Sequence, residues 1–172
     1  FIILMDNSER NALVESYGSA YTMLMEALTE FPNEMWQWKP APEKWSIHEV
    51  LIHLADSEAN SYIRARRLIA EPGSGVYGYD ENRWAIRLNY HSLSTEDYLE
   101  LFKWLRRLTY NLLKTLPEET WQTAWVQHSE NGKVTIEDWL RTYEEHVPVH
   151  IRQMHRNLTA WKKLKDEGNS TL

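Results

Sequence analysis

The chain has 172 residues, 42% of them hydrophobic and 26% charged, which suits a single domain over 1–172 with a core of about 7–164. A net charge of −6 argues against nucleic acid or an anionic membrane as a partner. No cysteine is present, which excludes disulfides, thiolate ligands and a cysteine nucleophile, and fits a cytoplasmic setting.

The apolar opening, residues 1–5, is too short for a membrane span or a signal core. A first helix is expected over about 7–30, where Leu13, Tyr17, Ala20, Tyr21, Leu24 and Leu28 recur at steps of three and four. Pro32 ends it. With Pro40 and Pro42 following, 33–45 reads as one helical turn and then extended chain.

Ser46 and Glu49 form a Ser-x-x-Glu capping box, so a second helix should begin there and run to about Ala70. Glu71-Pro72-Gly73-Ser74-Gly75 stops it. Residues 75–79 read as a loop, and Asp80 caps a short helix over about 80–89. The whole connection, 71–94, is long enough to cross a helical bundle from end to end.

Ser94 and Asp97 cap a third helix over about 94–115, with Tyr98, Leu101, Phe102, Leu105, Leu108 and Leu112 as its expected buried stripe. Pro117 ends it. Asn131-Gly132 is a type I′ hairpin signal within 126–135. Thr135 and Asp138 cap a fourth helix over about 136–164, with Trp139, Tyr143, Val147, Met154, Leu158 and Trp161 on its apolar face. From Lys165 the polar tail should fray. A faint repeat relates the halves: Leu28 to Gln37 resembles Leu113 to Gln122, and the capped start at Ser46 resembles that at Thr135. The expected fold is all-α, a four-helix bundle of two related helical hairpins, with short extra helices or a small hairpin in the connections.

His146 and His150 lie four residues apart, which stacks two imidazoles on one helix face. Two such rings can share one divalent ion, and His53, beside Val50, Leu54 and Ser57 on the second helix, is the best third ligand. A lone histidine on an apolar stripe is more often a core residue with one hydrogen bond. Three facing inward from two helices of one bundle favour a metal site, because a shared ion satisfies a nitrogen of each. Three protein ligands leave a position for water or substrate, the stoichiometry of a catalytic zinc site in which the bound water becomes a nucleophile. Asp56 and Glu58 are the carboxylates expected to assist by proton transfer or from behind the ligands. Pro148, between the pair, should bend the helix. Arg64, Arg66 and Arg67 lie too far along the helix to reach a small substrate and read as surface charge or partner contacts. Trp36, Trp38, Trp45 and Trp84 read as core more readily than as pocket wall.

Three motifs carry a resemblance: Trp45-Ser46-x-x-Glu49-Val50-x-x-His53-Leu54-x-Asp56-Ser57-Glu58, Tyr79-Asp80-Glu81-x-Arg83-Trp84, and His146-x-x-x-His150. In this order they resemble the DinB-like superfamily, in particular its YfiT-like candidate metal-dependent hydrolases. That resemblance implies an up-down-down-up bundle and a three-histidine site at His53, His146 and His150, and Pro148 departs from it. The implied cofactor is one divalent ion, Zn²⁺ first, with Ni²⁺, Fe²⁺ or Mn²⁺ as alternatives. The first reading is a metal-dependent hydrolase acting on a small-molecule substrate. Transfer of a low-molecular-weight thiol, or a non-catalytic stress-linked binding domain, are the alternatives. Neither nucleic acid nor membrane is an expected partner, and a homodimer is left open.

Overall fold

The computed structural model describes residues 5–169, so most of the apolar opening lies outside the described residues, as do 170–172. Helix α1 (Asn7–Leu28) starts where Asp6 accepts the Glu9 N–H, and Thr29 closes it ahead of Pro32. A 3-10 turn, Asn33–Met35, follows. Helix α2 (Ile47–Ala70) opens with the expected capping box: the Glu49 N–H donates to Ser46 Oγ, and the Ser46 N–H donates to Glu49 Oε2. Helix α3 (Glu81–Arg87) is capped by Asp80, and α4 (Thr95–Leu113) by Ser94. A short α5 (Glu118–Thr123) precedes α6 (Ile136–Asn169).

Cross-links between named residues fix the direction of each long helix. Glu9 meets Arg141, Ser16 meets Glu144 and Glu30 meets His155, so α1 and α6 run parallel. Glu58 meets Arg106 and Arg66 meets Thr109, so α2 and α4 run parallel too. Tyr110 reaches Glu15 while Tyr21 stacks on Phe102, which makes α1 and α4 antiparallel. Trp45 meets Asn157 and Arg64 meets Tyr143, which makes α2 and α6 antiparallel. The order is therefore up-down-down-up. These are the pairings a rough two-fold axis gives when it exchanges α1 with α4 and α2 with α6, in line with the sequence repeat. Because α2 and α4 point the same way, the chain between them must return along the whole bundle. Among the described residues, no helix is long and apolar enough to cross a membrane.

Four local expectations need correction. Residues 75–79 are more than a loop: β1 (Gly75–Val76) pairs in parallel with β2 (Trp125–His128), which pairs antiparallel with β3 (Gly132–Thr135). Nothing in two residues distinguishes such a strand from a loop. The hairpin turn spans Ser129, Glu130 and Asn131, and only Gly132 takes a positive φ, of 72°, so it is not a two-residue type I′ turn. His128 holds it, its Nδ1 accepting the N–H groups of Glu130 and Asn131. On α4, Leu101 and Leu108 are exposed, and the face turned inward carries Phe102, Arg106, Thr109 and Leu113. Finally, α6 continues past Lys165 to Asn169, because helix-compatible charges fill the tail and pair as Lys163–Glu167 and Lys165–Glu34. The same helix runs unbroken through Pro148.

Among the described residues the core has two large apolar clusters beside a small one of Ile52, Ala85 and Tyr90. One gathers Leu24, Leu28, Met35, Leu51, Leu54, Phe102, Val147 and Met154. The other gathers Val14, Tyr17, Leu68, Leu113, Trp121, Ile136, Trp139 and Leu140. A polar layer lies between them: Arg106, 1% exposed, donates to Glu58, 0% exposed, at 2.6 Å and to the carbonyls of Tyr17 and Tyr143. Tyr17 Oη donates to the other Glu58 oxygen, also at 2.6 Å.

Candidate metal centre

His53 lies two turns into α2, on the face turned to α6. His146 and His150 stand one turn apart on α6, their neighbours Val147 and Met154 buried in the first cluster. The structure thus brings together the three histidines singled out from spacing. Nε2 of His53 lies 3.4 Å from Nε2 of His146, and Nε2 of His150 lies 3.1 Å from it. One donor atom from each ring falls within 4.8 Å of the other two. Two nitrogens at about 2.1 Å from one ion stand roughly 3.0–3.4 Å apart in octahedral or tetrahedral geometry, so the 3.1 and 3.4 Å separations about His146 fit a shared divalent ion. The protonation pattern fits as well. Gln153 Oε1 lies 2.8 Å from His150 Nδ1, and a carboxamide oxygen only accepts. His150 therefore carries its proton on Nδ1 and keeps the Nε2 lone pair turned inward. Nδ1 of His53 and of His146 are buried without a hydrogen-bond partner among the described residues.

Burial holds these rings neutral. Desolvation, reinforced by His150, lowers the pKa of His53 to about 3. Desolvation, then His150, His53 and Arg106, lowers His146 to about 2. His150 is lowered by burial against the opposing effect of the hydrogen bond it donates to Gln153. Neutral imidazole is the form that binds a metal.

The surroundings are mixed. Trp45 packs on His53 with ring centroids 4.6 Å apart and lies nearly parallel to His150 at 6.4 Å, so it walls the site as well as filling core. A cleft of about 270 Å³ opens beside His150, lined among others by Lys44, Trp45, Glu81, Asn82 and Gln153. Larger clefts lie elsewhere, such as that of about 420 Å³ beside Arg64 and Trp84, and the three histidines do not line it. Asp56, one turn beyond His53, accepts a 2.5 Å hydrogen bond from Tyr90, and burial raises its pKa against that bond. Glu58 is turned into the polar layer with both oxygens engaged. Arg64 and Arg67 tie α2 to the crossover chain through the carbonyls of Tyr77 and Gly75. Of the other histidines, His128 caps the hairpin and His48 packs beside His91; neither they nor His155 join the trio. Spacing alone did not single out Glu81, whose Oε2 lies 3.8 Å from His53 Nε2. It falls in a connection with no helical register relative to His53, and its only sequence signal is the Asp80-Glu81 pair of the second motif.

An up-down-down-up bundle with three imidazoles converging between α2 and α6 defines a class: helical-bundle proteins with a histidine pocket able to hold a metal ion. The chain belongs to the DinB superfamily, whose family model matches residues 17–154. A protein of Oceanobacillus iheyensis is 28% identical over 144 residues, covering 84% of this chain and 80% of its own. One of Bacillus licheniformis is 25% identical over 158 residues, covering 91% and 90%. Both are named as candidate metal-dependent hydrolases. The solved structure of YfiT from Bacillus subtilis, described as a candidate metal-dependent hydrolase with an unusual four-helix bundle topology, superposes with a TM-score of 0.81. It shares 22% identity and covers 89% of this chain and 87% of its own, a likeness of fold.

Proposed function

We propose that the chain is a metal-dependent hydrolase of small molecules, with His53, His146 and His150 holding one divalent ion, Zn²⁺ in the first instance. The observation that carries this reading is the convergence of three neutral imidazoles, with Nε2 atoms 3.1 and 3.4 Å from the middle one, beside an open cleft. When bound, a divalent ion with three protein ligands supplies a Lewis acid and lowers the pKa of a water at its open position. The chain's own residues do the rest. Gln153 holds the His150 ring in its metal-facing tautomer. Trp45 packs against the ring of His53 and alongside that of His150. The carboxylate we assign to take up and release a proton is Asp56, which burial raises, which Tyr90 holds, and which lies one turn along α2 from His53. Glu58 serves by fixing Arg106, and through it the backbone of α6 at Tyr143.

The test is a panel of esters, amides and phosphoesters given to metal-loaded protein, with and without a low-molecular-weight thiol. Hydrolysis without thiol, lost in His146→Ala, is the expected result. Turnover only with thiol would move the assignment to thiol transfer. No turnover under either condition would leave a binding role and overturn the hydrolase reading.

A further inference from the structure

Glu81 stands at the start of α3 on the crossover chain, far from the ligand helices in sequence. Its placement is fixed by packing. Ala85, one turn on, is buried against Ile52 and Tyr90, and Ile52 is the neighbour of His53 on α2. Tyr79 packs on Trp84 with centroids 4.5 Å apart, bracketing the segment on its other side. The result aims Glu81 Oε2 at His53 Nε2, the nitrogen already turned to the other imidazoles, at 3.8 Å. Two ligands at about 2.1 Å from one ion stand between roughly 3.0 and 4.2 Å apart, so this oxygen lies within the range of a fellow ligand.

Charge points the same way. Among the described residues, Glu81 pairs with no Lys or Arg, and its one ion-pair contact is His53, at 3.8 Å. The Glu81 side chain is 54% exposed, and a divalent cation between its Oε2 and the three rings would give that carboxylate a counter-charge. Glu81 also lines the cleft that opens beside His150, so it stands on the accessible side of the trio.

We propose that Glu81 is a fourth protein ligand, giving the ion at the three-histidine site an oxygen donor from the crossover chain. The assignment rests on the three-histidine reading and deepens it. It makes the centre a three-histidine, one-carboxylate site. It also makes metal binding a tie between α3 and the bundle, so the ion should order the crossover segment as well as bind α2 and α6.

The test compares wild type with Glu81→Gln and Glu81→Ala, using Glu96→Gln, an exposed residue of α4, as the control. Zn²⁺ affinity is read by competition with a chromophoric chelator. The Co²⁺-loaded forms are read by visible absorption, which responds to ligand identity and number. Amide exchange across 79–85 is followed with and without Zn²⁺. The expected result is at least about a tenfold loss of affinity in both Glu81 variants, the scale on which even an outer-shell partner of a metal site is felt. A changed Co²⁺ spectrum should accompany it, and metal should slow exchange across 79–85 in wild type only. Wild-type affinity and an unchanged Co²⁺ spectrum in Glu81→Ala would overturn the assignment while leaving the histidine site standing. A wild-type chain that binds no Zn²⁺ or Co²⁺ would overturn both.

Discussion

Glu58 and Arg106 bury two opposite charges in the middle of the bundle, where either one alone would be costly. Their geometry answers that cost: Arg106 also donates to two carbonyls and lies over the Tyr17 ring at 3.9 Å, while Glu58 accepts from Tyr17. Removing one partner, as in Arg106→Met or Glu58→Gln, should cost about 3–5 kcal/mol in urea unfolding, while the double change should cost markedly less than the sum. Additive losses would show that the pair is not coupled. The histidines set a second residue-scale expectation. His53 and His146 are lowered from the ordinary 6.5 to about 3 and about 2 in the folded chain. Between about pH 6.5 and 3 the unfolded chain then binds more protons than the folded one. Stability of the metal-free protein is therefore full above about pH 6.5 and falls as pH drops toward 3. His146→Gln should flatten that fall. Equal slopes in chemical denaturation at pH 7 and 4.5 for both proteins would contradict it.

At the scale of elements, α4 shows what a stripe of apolar residues does and does not say. The helix is apolar on more than one side, and periodicity alone placed Leu101 and Leu108 inside. The packed face instead includes Arg106, whose partners come from α1, α2 and α6 and are invisible in a local window. Phe102→Ala should accordingly cost about 3–5 kcal/mol, as for other buried aromatic residues. Leu101→Gln and Leu108→Gln should stay within about 0.5 kcal/mol of wild type by the same measurement. The capped helix starts, by contrast, were legible because a Ser or Thr cap acts within three residues. So was the His146–His150 pair, because a helix fixes that spacing. Strand β1 and the aim of Glu81 were not legible, since both depend on where the long crossover settles against α2. Arg64 and Arg67 pin that crossover by donating to Tyr77 and Gly75. Replacing both by Ala should raise amide exchange across 75–79 while leaving α1 unchanged; no change at 75–79 would show that the β1–β2 pairing suffices without them.

Over the whole molecule, the topology explains why the site sits where it does. Parallel α2 and α4 oblige the crossover to run back along the bundle, and it passes the histidines on the way, bringing Glu81 and Tyr90 to residues near His53. The rough two-fold that relates the helices does not relate the ligands: in the aligned repeat Thr142 stands where symmetry would put a partner for His53. The two large apolar clusters draw on residues other than the three histidines, so the metal-free chain should keep its helicity at neutral pH. The central claim is that His53, His146 and His150 hold one divalent ion in this pre-formed bundle. The most direct measurement is titration of the metal-free chain with Zn²⁺ at neutral pH, counting ions bound per chain alongside far-ultraviolet circular dichroism. The account predicts one ion per wild-type chain with unchanged helicity, and no tight binding after His53→Ala, His146→Ala or His150→Ala. Binding should persist after His91→Ala. A helical His146→Ala chain that still takes up one ion with wild-type affinity would contradict it.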